Sequence, residues 1–335
     1  MIENGWALRK YLNDCRLKKA ERYCNIKVYY ACSIALRSIA GFYFIIDIRK
    51  KEKNMKKLLT LILALCLTFC SAIALTSCGE ESVDDRPVLK VGMECGYQPF
   101  NWTQFDDTNG AIKIQGKNGQ YANGYDVKIA KKIADALDMQ LHIYSYEWDN
   151  LVPAVESGAL DLIIAGMSPT ADRALKIDFS HAYYESNLVV VVRKDGAFAN
   201  ATTIADFAGA NLVAQAATFH DTVIDQIQGV NHLTPMEDFP TMLTALASKT
   251  IDGYIAEEPG AIADCNANNN FKYIPLVNNE SGFTVEDLTN VTLAVGVKKG
   301  SALLDQINTV IDGVSVQERA TIMNEAIEQA SALGL

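Results

Sequence analysis

From residue 88 onward, apolar and polar positions alternate between two periods. Val88 to Met93 is a short apolar run that reads as a strand, while Gln104 to Gly124 is rich in Asn, Gly and Asp and reads as a long loop or hairpin. The next stretch, YDVKIAKKIADALD, places Val127, Ala130, Ile133, Ala134 and Leu137 on one helical face and Lys128, Lys131, Lys132 and Asp135 opposite. This pattern predicts an amphipathic helix packed on a sheet. A weak repeat follows. LVPAVESGALDLIIA (151–165) aligns with MLTALASKTIDGYIA (242–256), with identities at Ala154/Ala245, Ser157/Ser248, Asp161/Asp252, Ile164/Ile255 and Ala165/Ala256. Each copy reads as helix, tight turn and buried strand. The first begins near Asn150 and turns at Gly158; the second follows Phe239-Pro240, with proline suited to a first helical turn. Two such units predict two α/β lobes of like design.

Ligands of open α/β sheets sit beyond the carboxyl ends of the strands. The segments in that position are GMSPTADR (166–173) after the first repeated strand and EEPG (257–260) after the second. One arginine therefore faces an acidic pair from the other lobe.

Charge divides the chain into three. Residues 1–54 carry twelve Lys/Arg against five acids, residues 55–78 carry only Lys56 and Lys57, and the remainder has 16 basic and 35 acidic residues, a net of −19. Such acidity argues against nucleic acid or anionic lipid as a partner, because each phosphate contact opposes the protein's own field. Met55-Lys56-Lys57, the apolar run Leu58 to Leu75 and Thr76-Ser77-Cys78 form the n-region, h-region and cleavage site of an export signal over 55–77. Leu75-Thr76-Ser77-Cys78 resembles the bacterial lipobox, which implies cleavage before Cys78 and a diacylglyceryl group on its thiol. An uncleaved membrane helix is the alternative. Residues 1–54 are then expected to be a spurious extension ahead of a start at Met55, and residues 78–87 an acidic, lipidated tether. Only Cys95 and Cys265 lie in the body, and no structural disulfide is expected between them.

The motifs YQPFNW (97–102), GYDVKIAKKIADAL (124–137), SGALDLIIAGMSPTADRALKIDFSHAYY (157–184), LVAQAATFHD (212–221), IDGYIAEEP (251–259) and VGVKKGS (295–301) resemble the family 3 extracellular solute-binding proteins, the amino-acid receptors of ABC importers. The resemblance covers residues 88–335. It implies an α/β, two-lobed, periplasmic-binding-protein-like (type II) fold with a two-crossing hinge near 185–189 and 289–293. Lobe one would comprise 86–187 and 294–335, lobe two 188–293. The chain departs from the family pattern at Lys128, where a second acid is usual; that position is expected on the solvent face.

The resemblance also implies site roles. Arg173 would grip a ligand α-carboxylate, for which the planar guanidinium fork suits bidentate capture. Ser168 and Gly166 would flank it, although a plain turn also uses Ser and Gly. Thr218-Phe219-His220-Asp221 looks like a capping box, whose free N–H groups could also face an anion. Glu257, with Glu258 as the competing choice, would pair with the α-ammonium. Tyr97 and Trp148 would sandwich the ligand's aliphatic stem. Glu94 is then left over, and a buried unpaired carboxylate favours a cationic or donor-rich ligand side chain, arginine or lysine first and glutamine second. His142, His181, His220 and His232 lack metal-ligand spacing and read as core or surface histidines; no phosphate loop and no nucleophile–base order occurs, so no metal, cofactor or catalysis is expected. The expected whole is a monomeric, lipid-anchored receptor outside the cytoplasmic membrane, passing a free amino acid to an ABC permease. A cyclohexadienyl dehydratase-like enzyme or a ligand sensor on the same fold is the alternative.

Overall fold

The computed structural model describes residues 84–276 and 281–334. The expected export signal over 55–77, Cys78, residues 1–54 and the first part of the expected tether lie outside the described residues.

In chain order the strands are β1 (Val88–Met93), β2 (Gly96–Tyr97), β3 (Asn101–Gln104), β4 (Ile112–Lys113), β5 (Tyr121–Asn123), β6 (Gln140–Ser145), β7 (Leu162–Ile163), β8 (Ile177–Glu185), β9 (Leu188–Arg193), β10 (Asn211–Val213), β11 (Asn231–His232), β12 (Gly253–Glu257), β13 (Phe271–Pro275) and β14 (Thr292–Lys298). The helices are α1 (Tyr125–Ala136), α2 (Trp148–Ser157), α3 (Ala171–Ala174), α4 (Phe219–Val223), α5 (Phe239–Ala247), α6 (Glu258–Ala267), α7 (Leu304–Gly313) and α8 (Val316–Leu333). Two five-stranded sheets carry the fold, one ordered β6-β1-β7-β14-β8 and the other β11-β10-β12-β9-β13. The chain leaves the first sheet at Glu185, enters the second at Leu188 and returns at Thr292. A four-stranded antiparallel sheet, β2-β3-β5-β4, fills the Asn- and Gly-rich stretch between β1 and α1.

The internal repeat has a structural counterpart. β7 and β12 occupy the third position of their sheets, each parallel to one neighbour and antiparallel to the other. The identical residues do the same jobs in both lobes. Asp161 accepts from Lys90 N at 2.8 Å, and Asp252 from Asn211 N at 2.9 Å, so each ties its own turn to the start of the adjacent parallel strand. Ser157 and Ser248 each donate to a carbonyl three residues back, closing the helix ahead of the turn. Gly158 makes the first turn in the left-handed region (φ 78) and Lys249 the second (φ 64).

Each element has a local cause. Helix α1 buries Val127, Ile129, Ala130, Ile133 and Ala134 against sheet one and stops short of Asp138, which turns left-handed at φ 52. Helix α2 begins at Trp148, close to the expected start near Asn150, because Glu147 is still extended (ψ 147) and serves as the N-cap position. In α5, Asp238 accepts from Thr241 N at 2.8 Å and Pro240 sits in the first turn, where its missing N–H has no partner to lose.

Lys128 is not on the solvent face. It is half-buried against α8, donating to Gln329 Oε1 at 3.2 Å and lying 3.7 Å from Glu325 Oε2. The C-terminal helix covers what the periodicity of α1 alone leaves open, and Glu325 supplies the opposite charge that a second acid at this position would repel.

Candidate functional site

The carboxyl ends of β1, β7, β10 and β12 converge on one cleft between the sheets, and their following residues line it. Its inner recess is bounded by Glu94, Tyr97, Trp148, Gly166, Ser168, Arg173, Gln215, Thr218, His220, Phe239 and Glu257, with Ala165 and Phe219. All eight ligand positions taken from the sequence thus meet at one place. The recess holds about 20 Å³, room for little more than one water, because the two lobes touch across it. A wider cavity of about 620 Å³ opens beside it and shares Trp148, Arg173, Thr218 and Phe219 with it.

Four contacts bridge the lobes at the recess. Arg173 donates from Nη1 to Ser168 O at 2.8 Å within its own lobe and from Nη2 to Ala217 O at 2.9 Å in the other. Gln215 Nε2 donates to Glu94 Oε1 at 2.8 Å. Tyr97 stacks on Phe239 with ring centroids 3.9 Å apart, and its hydroxyl donates to Glu257 Oε2. The guanidinium of Arg173 also lies 4.9 Å over the Trp148 ring, so Trp148 faces the arginine and Tyr97 faces Phe239.

Each charged group has a distinct environment. Burial pulls Arg173 down to about 10, while the negative Glu257 works the other way. Burial pushes Glu257 up, but the His220 ring, 3.1 Å from Oε1, and the Tyr97 hydroxyl more than offset it, and the carboxyl stays below the ordinary range. Glu94 is the opposite case. Burial pushes it up to about 8, the Gln215 amide only partly opposes this, and Asp238, Glu147 and Asp149 add to the rise. Its Oε2 is buried and has no hydrogen-bond partner. Glu258 turns away: it accepts from Asn187 Nδ2 at 3.3 Å beside the strand crossing.

The walls are held by a buried network behind them. Asp126 accepts from Asn101 Nδ2 and from the Tyr183 hydroxyl, both at 2.8 Å, and that hydroxyl accepts from Gly166 N at 3.1 Å. Asn101 in turn accepts from Cys95 N at 2.8 Å, so one carboxyl, pushed up to about 7 by burial, braces the chain after both β1 and β7. Gly166 needs to be glycine for two reasons: its φ is 61, and a Cβ there would stand 3.3 Å from the Tyr97 ring.

One expectation fails in detail. Thr218 holds the N-cap position of α4, but its hydroxyl donates to Gln215 O at 2.7 Å and no capping box forms. The left-handed Ala217 (φ 56) curls the chain back so that this carbonyl is nearer than the helix N–H groups. Five lining residues were not among the sequence candidates: Ala165 and Phe219, and three whose contacts shape the recess. Gln215 follows β10 as Glu94 follows β1, and the same strand-end rule would have found it. Phe239 was visible only as a helix start. His220 was read as a core or surface histidine; it is indeed buried, but against Glu257, a contact that α4 makes only in three dimensions.

Cys95 and Cys265 are both free thiols, and among the described residues no group of His, Cys, Asp and Glu is placed to hold a metal ion. No helix among them is long and apolar enough to cross a membrane.

Comparison with known proteins agrees with this architecture. The arginine-binding extracellular protein ArtP of Bacillus subtilis is 26% identical over 77% of this chain and 92% of its own length. The L-cystine-binding protein TcyJ of Escherichia coli is 25% identical over 68% of this chain and 78% of its own. Among solved structures, the amino acid ABC transporter substrate-binding protein AbpA of Streptococcus pneumoniae, bound to L-arginine, superposes with a TM-score of 0.60 at 25% identity, covering 72% of this chain and 95% of that one. These relatives are substrate-binding proteins, not enzymes. Residues 89–325 match the bacterial extracellular solute-binding proteins, family 3, and the chain belongs to that family of amino-acid-binding ABC transporter components.

Proposed function

We propose that this protein is the receptor of an importer for a cationic amino acid, arginine or lysine, with glutamine the next choice. Arg173 takes the α-carboxylate, with Ser168, Gly166 and Thr218 beside it; Glu257 takes the α-ammonium; Tyr97 and Trp148 flank the aliphatic stem. The observation that carries the ligand class is Glu94: a carboxyl with one oxygen on Gln215 and the other buried without a partner. A guanidinium or ammonium at Oε2 would supply the missing partner and compensate the charge. Entry requires the lobes to part, opening Tyr97–Phe239 and, until they close on the ligand, Gln215–Glu94, about the strand crossings at 185–188 and ahead of 292. Lobe one would then be 86–187 with 294–335, and lobe two 188–293. The ligand-holding form would be what a permease recognises.

The export signal over 55–77 supports a mature chain beginning at Cys78 and held as a monomer at the outer face of the membrane by its lipid, with residues 78–87 as tether and residues 1–54 never translated. Two measurements test the whole. Isothermal titration against the twenty amino acids should rank arginine or lysine first, and no binding by ligand-stripped protein would refute the receptor. Mass spectrometry of the mature protein should find diacylglyceryl Cys78 at the N-terminus; an unmodified start elsewhere would refute the anchor.

A further inference from the structure

His220 has no role in the reading above, yet it lines the recess. Its side chain is 9% exposed, and Nε2 lies 3.1 Å from Oε1 of Glu257. A carboxylate accepts, so the contact with Oε1 puts a ring proton on Nε2, and a ring carrying that one proton has Nδ1 as an acceptor. That Nδ1 is buried and has no hydrogen-bond partner. Buried polar atoms are almost always satisfied, and one left over at the wall of a cleft marks the place where a ligand's donor belongs.

We infer that His220 is a ligand-contact residue: with Nε2–H on Glu257, its Nδ1 accepts from the α-ammonium of the bound amino acid. This rests on the amino-acid receptor reading. The same carboxylate and the imidazole then share the ammonium, with Nε2 orienting the ring and Nδ1 making the contact. Glu94, beyond Gln215, is left free for the ligand's side chain. Neither periodicity nor spacing marks this histidine, because the contact needs β12 and α4 to be folded against one another.

The test uses ligand-stripped protein labelled with 15N-histidine, and wild type beside His220→Gln. The substitution keeps an amide donor within reach of Glu257 but lacks an acceptor at the Nδ1 position of the ring. The chain has four histidines, so the signal lost in the variant assigns His220. Titration with arginine, or with whichever amino acid binds best, should move the His220 Nδ1 resonance in wild type. His220→Gln should bind the same ligand about tenfold or more weakly, as expected for a buried hydrogen bond to a charged group, while circular dichroism shows it folded. An Nδ1 resonance unmoved at saturation, or a folded variant with wild-type affinity, would overturn the contact while leaving the receptor intact. A wild type that binds no amino acid would overturn the receptor reading itself, and this inference with it.

Discussion

Replacing Glu94 with glutamine puts the charge argument to a quantitative test. The carboxyl sits at about 8 in the protein, so at pH 7 roughly nine molecules in ten carry the proton on Glu94. A cationic side chain at Oε2 favours the ionised form and must expel that proton, which costs about 1.4 kcal/mol at pH 7 and nothing well above pH 8. Wild-type protein should therefore release about 0.9 proton per arginine at pH 7, and its affinity should rise up to tenfold per pH unit below pH 8 before levelling off. Glu94→Gln keeps the shape and the Gln215 partner but removes the charge. It should lose about 1.5–3 kcal/mol for arginine at pH 8, roughly ten- to hundredfold in Kd, and release no proton through this site. Asp126 and Asp264 are also pushed up to about 7, but both keep their partners in either protein, so the difference between the two isolates Glu94. Isothermal titration in two buffers of unlike ionisation enthalpy reads both quantities. Equal arginine affinity in the two proteins, or a wild type whose proton release is zero at pH 7, would refute the reasoning.

Two further outcomes follow from the same geometry. Arg173→Lys loses the fork that reaches Ser168 O and Ala217 O together and should weaken amino-acid binding about ten- to hundredfold, with an affinity within twofold of wild type counting against the carboxylate role. Without ligand, Glu94→Gln should match the wild type in stability below pH 4.5, where the carboxyl is neutral folded or unfolded. Between pH 4.5 and 8 only the folded chain keeps the proton, so wild type should fall behind by ~3 kcal/mol by pH 7 in urea denaturation followed by circular dichroism; a flat difference would contradict the burial of this group.

The route from sequence to site ran through strand ends. Glu94, Ser168 and Arg173 follow β1 and β7 and Glu257 ends β12, and the apolar runs that become those strands stand out in the chain, so both their positions and their common direction were legible. Gln215 obeys the same rule after β10, a strand of three residues too short to stand out by pattern. Thr218 was legible as a helix start, but its hydroxyl went to Gln215 O because the left-handed Ala217 brought that carbonyl closer than the helix N–H groups. Lys128 was misplaced because periodicity describes one helix, and only the packing of α8 decides which part of its polar face is covered.

By itself the sequence determined what local chemistry can determine: the apolar runs, the helix faces, the paired helix–strand units with their matching aspartates and serines, and the residue types that bind a carboxylate and an ammonium. The tertiary structure alone decided which of these groups meet. Electrostatic character depends on burial and on neighbours drawn from distant segments. Glu94 is a raised, half-satisfied carboxyl only because β1 and β10 face each other across the cleft. Glu257 is a lowered one only because α4 brings His220 against it.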